Sequence, residues 1–174
     1  ISSVSFDERG AVFEATHRLI QLGHLRIALL CVDPPDSRAI ERARLTGFVL
    51  AHQRHRMEVA PSMIVPQKDA QGSAQPWADR LLGRSESTPT AVVACNQNLG
   101  CEFLAACRKG GLDVPGQISV IAAGTLSPYR SPLLKQLSCI QKGSPEQLGE
   151  YAADMVHEAA RNPGTVRVVL PNTW

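Results

Sequence analysis

The chain has 174 residues, of which 44% are hydrophobic and 20% charged, with a net charge of +2. That length suits one α/β domain burying about 70% of its unfolded surface. The small charge, with no run of lysines or arginines, argues against a nucleic-acid surface within these residues. No apolar stretch reaches the roughly 20 residues of a membrane span, and no signal peptide is visible. Five cysteines, an odd count with no C-x-x-C pair, suit reduced thiols in a cytosol better than a disulfide framework. The chain opens at Ile1 rather than at methionine, which reads as a piece of a longer protein.

In chain order, Ser3-Val4-Ser5-Phe6 is a short strand and Asp7 the N-cap of a helix over residues 8–22. Ala11, Ala15, Leu19 and Leu22 repeat there at helical spacing, and Gly23 ends it. Arg26 to Val32 is a buried strand, Asp33-Pro34-Pro35-Asp36 a turn, and a helix follows to about His55 with Ile40, Ala43, Gly47 and Leu50 on one face. Ser62 to Val65 reads as a strand, and Trp77 to Leu82 lies in a further helix. Strand 91–95, helix 98–109 and strand 118–123 come next, then a polar loop over 124–136 and a strand from Leu137 to Ile140. Ser144-Pro145-Glu146-Gln147 has capping-box spacing with proline at the first helical position. That helix carries Leu148, Ala152, Met155 and Ala159 and stops at Asn162-Pro163-Gly164; Val166 to Leu170 is a closing strand. Strands alternating with helices predict a doubly wound parallel sheet. Ligands bind such sheets beyond the carboxyl ends of the strands, where Asn96 sits.

Several segments in order resemble the effector-binding domain of LacI/GalR transcription regulators. Pro89-Thr90-Ala91 followed by Asn96, and then Val114-Pro115-Gly116-Gln117-Ile118-Ser119-Val120-Ile121, match its P-T-A-x-x-x-x-N-D and V-P-x-x-I-S-V-I-G. Phe6-Asp7-Glu8-Arg9-Gly10-Ala11 looks like its D-x-x-x-G-A, and the segment from His17 to His24 is similar to its H-L-I-x-L-G-H. Arg44-Leu45-Thr46-Gly47-Phe48 matches R-x-x-G-F, and Leu148-Gly149-Glu150-Tyr151-Ala152 the late L-G-x-x-A. The resemblance implies a periplasmic-binding-protein-like sensor present in part. Residues 24–141 would form the core of the C-terminal lobe. Residues 1–23 and 142–165 would be crossover helices of the other lobe, and 166–174 a closing strand. The faces of those two helices would then lack their usual sheet and either pair with a second copy or repack.

The resemblance implies that Arg44 binds effector, its guanidinium offering a fork of donors; the alternative is a solvated face shared with Arg38, Glu41 and Arg42. Asn96 suits hydroxyl recognition or an ordinary N-cap. Gln97 stands where the family has aspartate, and Gly124 where its sugar-gripping acid is expected. Asp69 lies after the third strand, where an aromatic is often found; Trp77 nearby reads as core. Arg44, Asn96, Gln97, Gly124 and Asp69 form the candidate effector set. Arg44 and Asn96 are expected to face a common hollow. Losing acceptors while keeping Arg44 leaves a donor-rich cleft, which favours an anionic effector; an ordinary sugar and a sensor that only dimerises are the alternatives.

No enzyme, cofactor or metal is expected. His157-Glu158 has Arg161 where a zinc protease needs its second histidine, and the cysteines mostly sit on apolar faces. The expected partners are a small effector and a second copy of the chain in the cytoplasm, with DNA reached only through a head domain outside these residues and no membrane contact. That head could be a helix-turn-helix or a winged helix. A periplasmic sugar-binding protein of a transporter is the rival with the same fold.

Overall fold

A computed structural model describes residues 2–34, 38–67, 81, 88–124, 132–161 and 164–173. The elements are β1 (Ser3–Phe6), α1 (Glu8–Gln21), β2 (Ile27–Cys31), α2 (Ala39–Arg54), β3 (Ile64–Pro66), β4 (Ala91–Ala94), α3 (Gln97–Lys109), β5 (Ser119–Gly124), β6 (Ser138–Lys142), α4 (Pro145–Arg161), β7 (Arg167–Leu170) and β8 (Asn172–Thr173). The helix expected around Trp77 lies outside the described residues except for Leu81, which is helical and buried. Asp69 and most of the loop 124–136 lie outside them as well.

Six strands form the main sheet in the order β3-β2-β4-β5-β6-β8, parallel except for β8, which runs antiparallel to β6. Every residue of β2 and β4 is buried, as strands covered on both faces must be. β1 and β7 make a separate two-stranded parallel sheet in which Phe6 pairs with Leu170. The short strand at the third position is preceded by a 3-10 turn, Pro61–Met63, so pairing begins only at Ile64.

Local chemistry sets the helix ends. Asp7 Oδ1 accepts the Gly10 N–H at 2.8 Å, which satisfies an otherwise orphaned first-turn donor. At the other end Gly23 takes φ +92°, and the Gly23 and His24 amides return to Ile20 and Leu19 carbonyls. Ser144 and Gln147 form a reciprocal capping box: Gln147 Oε1 accepts the Ser144 N–H and Ser144 Oγ accepts the Gln147 N–H.

Helix α1 packs on the six-stranded sheet and on α2, with Ala11, Val12, Ala15 and Leu19 in the common core. Residues 1–23, expected together with the other lobe, are divided: α1 packs on the six-stranded sheet, while β1 pairs with β7 in the small one. The reason is a notch in α2: a Cβ on Gly47 would stand 2.2 Å from the Arg9 carbonyl oxygen, so glycine there lets the two helices meet backbone to backbone. Leu22, expected on the buried face, is exposed at the helix end. The buried face of α2 is also turned from its apolar pattern: Ile40 and Leu50 are exposed, while Glu41, Arg44, Phe48, Ala51 and His52 are buried.

Helix α4 lies against β1 and has no buried residue. Tyr151 and Val156 are exposed, and a cavity of about 200 Å³ between this helix and the small sheet is lined by Tyr151, Met155, Ala159, Val166 and Val168. Three connections join the two sheets, at residues 6–8, 142–145 and 170–172. They are cross-linked: the Asp7 amide donates to the Leu170 carbonyl at 3.2 Å, and Asn172 Nδ2 donates to the Asp7 carbonyl at 3.0 Å.

Candidate functional site

From β2 the chain passes to β3 on one side, and from β4 to β5 on the other. Strand order therefore reverses between β2 and β4, and the crevice beyond their carboxyl ends is where open α/β sheets place ligands. Cys31 ends β2 there; Cys95 and Asn96 follow β4. The side chain delivered to this point is Arg44, from the second turn of α2.

Arg44 is buried and already engaged. Its Nε donates to Glu8 Oε2 at 2.8 Å and its Nη1 to Glu41 Oε1 at 2.8 Å. Lys142, at the end of β6, donates from Nζ to the same Glu8 oxygen at 2.6 Å. Burial works against the Arg44 charge, but the carboxylates of Glu8 first and of Glu41 outweigh it, so its pKa is raised. For Lys142 burial wins over Glu8, and its pKa is lowered. Burial likewise raises the Glu41 carboxyl, against the pull of Arg44. Among the described residues the buried Glu41 Oε2 has no hydrogen-bond partner, an acceptor open to a donor or a proton. Burial pushes the thiols of Cys31, to about 12, and of Cys95 well up. They are inert neighbours of the cluster rather than nucleophiles.

Glu41 thus does not share the solvated face proposed for it with Arg38 and Arg42. Arg38 stays outside, paired with Asp33 at 3.2 Å, and Arg42 points away from the core. The cleft is not donor-rich either, because two carboxylates lie on Arg44 itself.

The other candidates fall into a second group. Asn96 Oδ1 accepts the Leu99 N–H at 2.9 Å and caps α3. No described contact joins Asn96 to Arg44, and no described cavity is lined by both. Gln97 is buried beside Gly124: a Cβ at 124 would lie 2.4 Å from Gln97 Cγ. The Gln97 side chain fills the room that an acid at position 124 would need, and its Nε2 lies 3.7 Å from Cys139 Sγ.

A cavity of about 790 Å³ opens between the starts of α1 and α2 and the small sheet, lined by Glu8, Arg9, Ile40, Leu148, Arg167 and Val169 among others. Glu8 stands at its wall with Arg44 and Lys142 behind it. Among the described residues no group of three His, Cys, Asp or Glu can hold a metal ion. Glu8 and Lys142 escape a local reading because they are 134 residues apart. Glu41 could have been found from its i,i+3 spacing to Arg44.

Residues 16–173 match the family described as a periplasmic binding protein-like domain. The chain is 31% identical over 156 residues to an arabinose metabolism transcriptional repressor of Geobacillus stearothermophilus, covering 88% of this chain and 42% of that protein. It is 34% identical over 115 residues to the HTH-type transcriptional regulator DegA of Bacillus subtilis (66% and 33% covered). To the HTH-type transcriptional regulator GalR of Escherichia coli it is 32% identical over 119 residues (68% and 34%). The chain spans less than half the length of each of these relatives. Among solved structures, a regulatory protein of the LacI family from Chloroflexus aggregans shares the fold with a TM-score of 0.81 at 22% identity, over 99% of this chain and 61% of that one. A LacI transcriptional regulator from a Rhodococcus species gives 0.77 at 26% identity, over 99% and 62%. The chain belongs to the periplasmic-binding-protein-like domain family, within the group whose curated members are LacI/GalR-type transcription regulators.

Proposed function

We propose that this chain is the ligand-sensing and dimerisation part of a cytoplasmic DNA-binding regulator, taking a small effector at the carboxyl rim of the six-stranded sheet. The observation that carries the reading is Arg44, brought to the strand-order reversal and held there by Glu8 and Glu41. Its relatives are named as transcriptional regulators and repressors, which favours this role over a transporter's binding protein. DNA contact then belongs to a head outside these residues. Effector binding shifts the balance between two arrangements of the sensor and so the spacing of paired heads. The exposed face of α4 and the small sheet offers apolar area for pairing.

The test uses the parent regulator. Its affinity for its own promoter region is measured with and without candidate sugars and organic anions, in wild type and in Arg44→Ala. The expected result is one compound that changes DNA affinity in wild type and no longer does so in the variant, which still binds DNA. A response of equal size in Arg44→Ala rejects the site.

Two observations favour a second reading, a sensor that pairs without binding ligand. Arg44 is satisfied by its own chain, and Gln97 fills the space beside Gly124. Under that reading no compound shifts DNA affinity, yet sedimentation still shows a dimer.

A further inference from the structure

We propose that Arg44 and Lys142 form an oxyanion site which Glu8 fills from within the chain, and that the effector is a small carboxylate or phosphate that displaces the Glu8 side chain. The inference rests on the sensor reading and adds the chemical class of its ligand. One carboxylate oxygen receives both cations, at 2.8 Å from Arg44 Nε and 2.6 Å from Lys142 Nζ. A guanidinium edge beside an ammonium point charge, converging on one oxygen, is the donor set of an anion site. The two cations are nearly removed from water, with side chains 9% and 3% exposed. They need an anionic partner wherever Glu8 goes.

Glu8 itself is placed to leave. It lines the large cavity, whereas the cations behind it do not. Its departure costs α1 no cap, because Asp7 takes the Gly10 amide. Arg9 and Arg167 line the same cavity and give an arriving anion a cationic approach. Glu41 stays on the other edge of Arg44 and keeps the guanidinium oriented. A neutral sugar in place of Glu8 would leave buried Lys142 without the carboxylate it holds and Arg44 with Glu41 alone, which selects against it. Because Glu8 opens α1 and Lys142 closes β6, each at a connection between the two sheets, exchanging Glu8 for a ligand acts on two of the three connections at once.

The experiment titrates the wild-type protein and Glu8→Gln with inorganic phosphate, succinate and glucose, by calorimetry at constant ionic strength. In Glu8→Gln the internal competitor keeps its shape and loses its charge. That variant, folded by circular dichroism, is expected to bind phosphate or succinate at least about tenfold more tightly than wild type. Adding Lys142→Gln removes the gain, and the preferred anion tells a phosphate site from a carboxylate site. Equal anion affinities in wild type and Glu8→Gln overturn the inference. Glucose binding that ignores Glu8→Gln overturns it while leaving the sensor reading intact; no binding by either protein overturns both. Should Glu8→Gln not fold, Glu8→Asp, which draws the carboxylate back by one methylene, is judged by the same criteria.

Discussion

Gly124 and Gln97 make a paired departure from the sugar-binding pattern, and the pairing can be measured. A methyl group at position 124 would lie 2.4 Å from Gln97 Cγ, 2.8 Å from Cδ and 3.0 Å from Nε2. Carbon atoms rest about 3.5–4.0 Å apart, so Gln97 must move by about an ångström. It has little room to do so, being buried between β5 and Cys139. Gly124→Ala therefore overpacks the site and costs about 1–3 kcal/mol. Gln97→Ala alone loses packing and hydrogen bonding, at a cost of about 1–2 kcal/mol. In the double variant the new methyl occupies space that Gln97 has vacated. Its destabilisation should fall short of the summed singles by about 1–2 kcal/mol, within the usual range for residues in contact.

The assay is urea unfolding followed by far-ultraviolet circular dichroism on the four proteins, compared through midpoints at a common slope. If the singles add within about 0.5 kcal/mol, Gln97 does not fill the space beside Gly124. The absence of the family acid would then have no packing cause. If the coupling is found, Gly124→Asp with Gln97→Ala becomes the variant in which an acceptor fits at this rim.

Gly47→Ala should lower Tm by roughly 2–12 °C, because its methyl meets the Arg9 carbonyl, which cannot swing away as a side chain can; an unchanged Tm would refute the backbone contact between α1 and α2. The thiols of Cys31, Cys95 and Cys107 are pushed up by burial, so a disulfide reagent at about pH 8 should label them only as the protein unfolds; prompt labelling of Cys95 in the native protein would contradict its placement. Glu41 has a raised folded pKa, so the folded state holds its proton above the ordinary value of 4.5. Its contribution is fully present below that value and is lost as pH rises through the folded pKa. Glu41→Gln should therefore lose less stability than wild type as pH rises from about 4.5 towards neutrality, and denaturant midpoints that fall in parallel would refute it.

Much of the scaffold is legible in the chain because its signals are local. β2 and β4 announce themselves as unbroken apolar runs, since strands covered on both faces have no polar side to show. Asp7 and Gly23 bound α1 by hydrogen bonds that reach only a few residues. The site is less legible because its charges are buried. On α2 the apolar residues Ile40 and Leu50 lie outside while Glu41 and Arg44 lie inside. A hydrophobic pattern therefore points to the wrong face: it assumes that charge means water, and here each charge faces an opposite one. β8 and its Asn172 depend on a distant partner strand and have no local signature.

The missing link is the crossing of α1 over α2. A buried arginine needs a carboxylate, and Glu41 three residues away supplies one from its own helix. The second comes from another element, and which one depends on where the helices touch. Gly47 sets that point by admitting the Arg9 carbonyl. Arg9 follows Glu8, and Gly47 lies three residues beyond Arg44, so contact at 9 and 47 carries Glu8 to Arg44. Once Glu8 is there, Lys142 on β6 finds its counter-charge in the same oxygen. A glycine without polar chemistry of its own thus fixes the composition of the ion cluster. The G of R-x-x-G-F, which reads as a packing residue, determines what the R can bind.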